Sequence, residues 1–226
     1  LDYVSSTLHA GLYDSAGAGL AWPWNGSAWT IIGGGYVRQS WGGFNAQSVE
    51  TSATHNDKLY IGTGTSVAGN ATVWEFDGDT WQIIGGQGIK NSWARSTYEN
   101  VYTLQSYKGN LYAGIGTTAN DAEVWKYDGN SWTQVGGDSL NGGWTTNFES
   151  VLALTVYNDS LCAGLGLSAQ DAEVWCWNDT SWTRIGGDGV NGSWAAALNI
   201  EAVYSLAVYR GELYAGLGNS TGDAEV

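Results

Sequence analysis

Basic residues are scarce in this chain of 226 residues. Eight Lys and Arg stand against 22 Asp and Glu, which gives a formal net charge of −14, and the basic residues form no stripe. Because nucleic-acid binding depends on neutralising phosphates with Lys and Arg, this composition excludes a nucleic-acid partner. No apolar run approaches the roughly 18 residues that a membrane helix needs, so we expect no membrane insertion.

The chain also lacks methionine and begins Leu-Asp-Tyr-Val, which resembles neither an initiator terminus nor a secretion signal. We therefore expect a soluble protein that has been processed or cut. Charged residues make up only 13%, but hydrophobic residues reach 43%, which is enough for a core. The length and composition predict an ordered chain of one large domain or two small ones.

Glycine and tryptophan are abundant, and the tryptophans reveal an internal repeat. Pairs of Trp seven residues apart recur with offsets of 52, 51 and 50 residues. The pairs are Trp22/Trp29, Trp74/Trp81, Trp125/Trp132 and Trp175/Trp182. A fifth copy has begun by Val226. The chain thus consists of five units, about 1–47, 48–98, 99–148, 149–200 and 201–226, which we call repeats 1 to 5.

Each repeat contains short segments in which apolar residues alternate with polar or small ones, a pattern typical of antiparallel strands. Turn residues such as Lys108-Gly109-Asn110 and Asp128-Gly129 separate the segments. A full repeat therefore predicts a four-stranded antiparallel meander. Such meanders pack face to face around an axis. We predict an all-β fold in which 1–226 form a single five-bladed β-propeller domain.

The first and last blades are predicted to be incomplete. The first keeps only a stub of its inner strand, Leu1 to Val4, and the last lacks its outer strand. Three interpretations remain open: the blades close as they stand, another chain supplies the missing strand, or the sequence belongs to a longer array. An unpaired strand edge is a template for association, so the second interpretation predicts self-assembly through the terminal blades.

The repeats resemble the blades of the kelch family of β-propellers. The resemblance is carried by LYAGIG and DAEVWKYDGNSWTQVGG in repeat 3 and by their copies in repeats 2 and 4, and it covers nearly the full chain. Here Gly-x-Gly stands where a glycine pair usually ends the second kelch strand, and a glycine pair follows the fourth strand instead. The resemblance implies a propeller, but propellers serve many functions.

The two cysteines and six glycosylation motifs point outside the cell. Cys162 and Cys176 lie in the second and third predicted strands of repeat 4, directly opposite each other if the hairpin turn centres on Ala169. We predict a disulfide; two free thiols in a reducing compartment are the alternative. The Asn-x-Ser/Thr motifs are at Asn25, Asn70, Asn158, Asn178, Asn191 and Asn219. Together these features predict a secreted or cell-surface glycoprotein.

Residues suited to catalysis or metal binding are few. His9 and His55 take strand positions that are mostly Tyr in the other repeats, so we interpret both as structural. A kelch enzyme of the galactose-oxidase type would need His ligands, and sialidase chemistry would need clustered arginines. Carboxylates such as Asp171 and Glu173 are copied between repeats and are interpreted as strand-start residues. Calcium binding by loops such as 188–192 is the alternative. We predict no catalytic residue, no bound metal and no cofactor.

Four loop tryptophans, each near the connection to the next repeat, are the candidate ligand-binding residues. They are Trp41, Trp93, Trp144 and Trp194. Sugar rings stack on indole faces, and repeated pockets between blades would bind multivalently. The alternative, which we favour, is that these indoles fill the gaps between blades.

The sequence accordingly predicts a non-catalytic extracellular binding or adhesion module, with glycans or other surface ligands as partners. A structural subunit of an extracellular filament or surface layer is the alternative, and a glycan-active enzyme is a third and weaker one.

Overall fold

A computed structural model describes residues 2–4, 7–12, 19–42, 46–65, 69–94, 97–145, 147–168, 171–195 and 199–218. Within these ranges the chain is all β, with antiparallel strands and a few single helical turns. The fold class predicted from the repeats is confirmed at this level. None of the helical turns in the described ranges is long and apolar enough to cross a membrane.

The chain divides into two compact units, and each is described by itself. The first comprises Leu1–Ala113 and Lys126–Thr133, and the second comprises Gly114–Trp125 and Gln134–Val226.

In the first unit, repeat 1 forms a three-stranded antiparallel sheet and repeat 2 forms a four-stranded antiparallel meander. The strands of repeat 1 are β1 (Asp2–Val4), β2 (Thr7–Leu12) and β3 (Leu20–Trp24). Those of repeat 2 are β4 (Ser48–His55), β5 (Lys58–Gly64), β6 (Val73–Phe76) and β7 (Trp81–Gly85). Strand β8 (Asn100–Tyr107), from repeat 3, pairs with the end of β5.

The strands that follow in repeat 3 contribute residues to both units. They are β9 (Asn110–Gly116), β10 (Glu123–Tyr127) and β11 (Trp132–Gly136).

In the second unit, repeat 4 is a four-stranded antiparallel meander, and repeat 5 contributes a hairpin. The meander consists of β12 (Ser150–Tyr157), β13 (Ser160–Gly166), β14 (Val174–Trp177) and β15 (Trp182–Gly186). The hairpin consists of β16 (Val203–Tyr209) and β17 (Glu212–Leu217). The segment expected to begin the third strand of repeat 5 lies outside the described residues.

The fourth strand predicted for repeat 1 is reduced to isolated bridges. Trp24 bridges to Trp29, and Ala21 to Gly33. The carbonyl of Pro23 accepts from the Thr30 amide at 3.2 Å, but proline has no N–H to return the bond. One rung of the ladder is therefore lost where the other repeats have a continuous strand.

The disulfide predicted from the hairpin register is present. Cys162 and Cys176 face each other across β13 and β14, and their Cα atoms are 4.0 Å apart. In repeat 2 the same register pairs Tyr60 with Glu75, and the Tyr60 hydroxyl donates to the carboxylate at 2.7 Å. The disulfide of repeat 4 therefore occupies the position at which repeat 2 has a hydrogen-bonded cross-strand pair.

Candidate functional site

The loop tryptophans follow a helical turn that is repeated four times. The turns span Val37–Gln39, Ile89–Asn91, Leu140–Gly142 and Val190–Gly192. Each contains a central residue with positive φ, such as Asn141 at 54° and Asn191 at 52°. In three turns a serine hydroxyl accepts from the amide of the second glycine in the preceding Gly-Gly sequence, for example Ser92 from Gly86 at 2.8 Å. The turn fixes the direction in which the tryptophan leaves the loop.

Three of the four loop tryptophans are inside the protein. Trp41, Trp93 and Trp144 are 1%, 2% and 1% exposed, whereas Trp194 is half-buried. Each indole N–H donates to the backbone carbonyl 22 residues earlier, as Trp144 does to Ala122 at 2.8 Å. A sugar cannot reach the faces of the three buried indoles without a rearrangement. Ligand binding by a loop tryptophan thus stays a prediction for Trp194 alone.

The buried loop tryptophans pack against tryptophans of the next repeat. Trp41 meets Trp81 edge-to-face with centroids 5.1 Å apart, and Trp144 meets Trp182 in the same way at 5.2 Å. The indoles of the fourth-strand tryptophans in repeats 2, 3 and 4 then donate back to the preceding repeat, as Trp182 does to the carbonyl of Val135 at 2.8 Å. These contacts match the alternative interpretation, in which the indoles fill the space between repeats.

A polar pocket between the end of repeat 3 and the strands of repeat 4, called the pocket of repeat 4 below, combines aromatic and charged side chains. Its volume is about 520 Å³. It is lined by Thr145, Asn147, Phe148, Asp171, Glu173, Trp175 and Arg184. Pockets of this size that mix aromatic surface with a few polar groups are typical ligand sites. This pocket is therefore the best candidate site among the described residues.

One wall of the pocket is an indole held in place by an ion pair. The Trp175 N–H donates to Glu173 at 2.7 Å, and Arg184 forms a salt bridge with the other oxygen of the same carboxylate. Glu173 is buried, while Trp175 is half-buried and Arg184 is exposed. The network fixes the orientation of the indole and presents the guanidinium to solvent beside it.

A crowded carboxyl group lies beside this network. Burial raises the pKa of Asp171, and the charge of Glu149, a hydrogen bond to it and the charge of Glu173 raise it further, to about 7. Glu149 also accepts a hydrogen bond from the Ser168 hydroxyl. Near neutral pH the pocket thus holds one carboxyl that can donate as well as accept.

The pocket breaks the symmetry of the repeats. At the position of Arg184, repeat 3 has Gln134 and repeat 2 has Ile83, and at the position of Glu173, repeat 2 has Thr72. The sequence contained the signal, an arginine in a repeat position otherwise taken by uncharged residues. Sequence reasoning missed it because Asp171 and Glu173 were assigned to strand-start roles, whereas both line the pocket.

The two histidines belong to β2 and β4 of the first unit. His55 is buried, its Nδ1 lies 2.9 Å from the Ser106 hydroxyl, and burial lowers its pKa despite the opposing charge of Glu75. His9 is also buried. In the part of the chain that the structure describes, no group of three or more His, Cys, Asp or Glu residues is placed to hold a metal ion.

Four of the candidate glycosylation asparagines are exposed at turns, and Asn70 is half-buried. The exposed ones are Asn25, Asn158, Asn178 and Asn191. Asn191 differs because its side-chain nitrogen donates to the carbonyl of Ile185 at 3.0 Å. The sixth, Asn219, lies outside the described residues.

Comparison with known proteins finds no family that matches this chain and no curated protein with a similar sequence. The kelch resemblance therefore rests on the repeat pattern alone.

Proposed function

We propose that the chain is a five-bladed, kelch-like β-propeller and a non-catalytic binding or adhesion module, located outside the cell or on its surface. The disulfide between Cys162 and Cys176 supports an oxidising location. The four-stranded meanders of repeats 2 and 4 support the blade assignment.

The proposed ligand is a carbohydrate, and the polar pocket of repeat 4 is its site. The observation that carries this proposal is the half-buried Trp175 fixed by Glu173 and flanked by Arg184 and Asp171. An oriented indole offers a flat apolar face to a sugar ring. The carboxyl and guanidinium groups beside it supply acceptors and donors for hydroxyls.

A glycan microarray probed with the labelled chain tests the proposal. We expect a restricted set of oligosaccharides to bind, and the Trp175→Ala variant to lose that signal. Arg184→Gln introduces the side chain that repeat 3 has at this position and should weaken the same signal. The control, Thr183→Ala, changes an exposed residue next to Arg184 and should leave the signal unchanged. A folded wild-type chain that binds no glycan, or whose binding survives Trp175→Ala, would refute the proposal.

A second candidate function is structural, namely assembly into an extracellular filament or surface layer through the terminal repeats. The supporting observation is the exposed apolar surface of repeat 5. Tyr204, Val208, Tyr209 and Tyr214 are each 39–58% exposed. Sedimentation of the chain over a wide concentration range tests this candidate, since a strict monomer would exclude it.

A further inference from the structure

Acidic groups outnumber basic ones at the pocket of repeat 4. Asp171 and Glu173 line the pocket, and Glu149 lies close enough to Asp171 to hydrogen-bond to it. Arg184 is the one basic residue among the described residues that line the pocket, and its guanidinium is held by Glu173. This ion pair offsets the charge of Glu173, whereas Asp171 and Glu149 have no such basic partner in the described lining.

Repeat 3 shows how the turn can satisfy the carboxyl at the position of Asp171. There Asp121 accepts from the Thr118 hydroxyl at 2.8 Å and from the Thr118 amide at 3.3 Å. Repeat 4 has Ser168 at the position of Thr118, but the Ser168 hydroxyl donates to Glu149 instead. The hydrogen bond of Asp171 then runs to the Glu149 carboxyl, and two carboxyls can hydrogen-bond to each other only through a proton.

The second oxygen of Glu149 shows the same shortage of donors. Glu149 Oε2 is buried and accepts no hydrogen bond from a hydroxyl or an amide of the described residues. A buried acceptor that lacks such a donor is costly, and so is the repulsion between two adjacent carboxylates. Both costs fall when a ligand places a positively charged donor beside Asp171.

We propose that the ligand of this pocket is an amino sugar, whose ammonium group donates to Asp171 and replaces the proton that Asp171 shares with Glu149. The displaced proton leaves to solvent. The sugar ring stacks on the face of Trp175, and its hydroxyls bond to the other polar groups of the lining, which include Arg184. This inference rests on the proposed carbohydrate pocket and adds the chemical class of the sugar.

The same groups discriminate against an acidic sugar. Its carboxylate would face Asp171 and Glu173, and the guanidinium that could receive it is held by Glu173. Like charges brought together in a partly buried site lower affinity, and the net charge of −14 also repels an anionic ligand. A neutral N-acetylated sugar avoids the repulsion, but its amide offers one N–H donor where an ammonium group offers three.

The test is calorimetric titration of the full chain with three tetrasaccharides. The first is β-1,4-linked tetraglucosamine, the second is its fully N-acetylated form, and the third is tetragalacturonate, which carries carboxylates. The titrations are done at about pH 6.5, where the sugar amine is protonated because its pKa lies near that of an α-amino group. We expect the amine form to bind at least about tenfold more tightly than the N-acetylated form, as for one charge-assisted hydrogen bond, and the acidic form to bind most weakly.

Two variants remove the carboxylates that the inference invokes. Asp171→Asn and Glu149→Gln introduce the side chains that repeat 2 has at these positions, Asn70 and Gln47. Each variant should lower the preference for the amine form over the N-acetylated form by about tenfold. The matched control, Asp159→Asn, removes one charge from the exposed turn between β12 and β13 and should leave the preference unchanged.

Equal affinities for the amine and N-acetylated forms, tighter binding of the acidic form, or no binding of any of the three would overturn the inference. Trp175→Ala separates this failure from that of the proposed function. If the wild type binds the amine and N-acetylated forms equally and Trp175→Ala loses both, the carbohydrate pocket stands and the amino sugar is rejected. If a preference for the amine form survives Trp175→Ala, the site lies elsewhere and both proposals fail.

Discussion

Replacing Trp132 by Phe tests whether the indole contacts between repeats stabilise the protein. Trp132 is 2% exposed, its N–H donates to the carbonyl of Ile84 at 2.8 Å, and its ring meets Trp93 at 5.3 Å. Phe leaves that carbonyl without the indole donor, which costs about 1–3 kcal/mol for a buried group. The smaller ring leaves a void worth roughly another 1 kcal/mol. We therefore expect a loss of about 2–4 kcal/mol.

The assay is urea and thermal unfolding followed by circular dichroism. For a chain of this length, a loss of that size corresponds to a fall in Tm of roughly 5–15 °C. The matched control is Trp29→Phe, the same position in repeat 1, where the side chain is 42% exposed. We expect that control to change stability by less than about 0.5 kcal/mol. Equal losses in the two variants would refute the argument that the inter-repeat contact supplies the stability.

Three further predictions concern the disulfide and two carboxyl groups. Reduction of the Cys162–Cys176 bond, or its replacement by two serines, should cost about 2–4 kcal/mol, read from urea midpoints with and without reductant; no change would show that the bond is not stabilising. Backbone amides of the turn lower the pKa of Asp128. The carboxylate therefore stabilises the fold above the ordinary carboxyl pKa, and this stabilisation is lost as pH falls through the lowered pKa. Asp128→Asn keeps the turn acceptor, as Asn178 does in repeat 4, and should make the acid side of the stability curve shallower; an unchanged slope would contradict this. The raised pKa of Asp171 gives the opposite pH dependence. Its contribution to stability is full below the ordinary carboxyl pKa and is lost as pH rises through about 7. Asp171→Asn should therefore gain stability relative to the wild type at alkaline pH. Parallel pH profiles for the two proteins would exclude that assignment.

Local chemistry in the sequence predicted much of the fold. The alternation of apolar residues and the Gly, Asn and Asp residues of the turns predicted the meanders of repeats 2 and 4, and the spacing of Cys162 and Cys176 predicted their pairing. These features depend on neighbours within a single hairpin, so the sequence pattern is sufficient. Pro23 indicated that the fourth strand of repeat 1 would be interrupted, because proline lacks the N–H that the ladder needs. The regular tryptophan spacing favoured a strand there instead.

The candidate site was harder to predict because its walls are distant in sequence. Phe148 and Asn147 come from the connection before β12, whereas Trp175 and Arg184 come from β14 and β15. Exposure also depends on tertiary packing. Trp144, for example, is covered by Trp175 and Trp182 of the next repeat, which are distant from it in the sequence.

Calorimetric titration of the full chain with its tightest-binding oligosaccharide tests whether the pocket of repeat 4 is the carbohydrate site, since it measures the number of sites as well as the affinity. We expect one site per chain, located in the pocket of repeat 4 and abolished by Trp175→Ala. A stoichiometry of four would place binding in the repeated loops instead. A single site that persists in the Trp175→Ala variant would show that the carbohydrate binds outside this pocket.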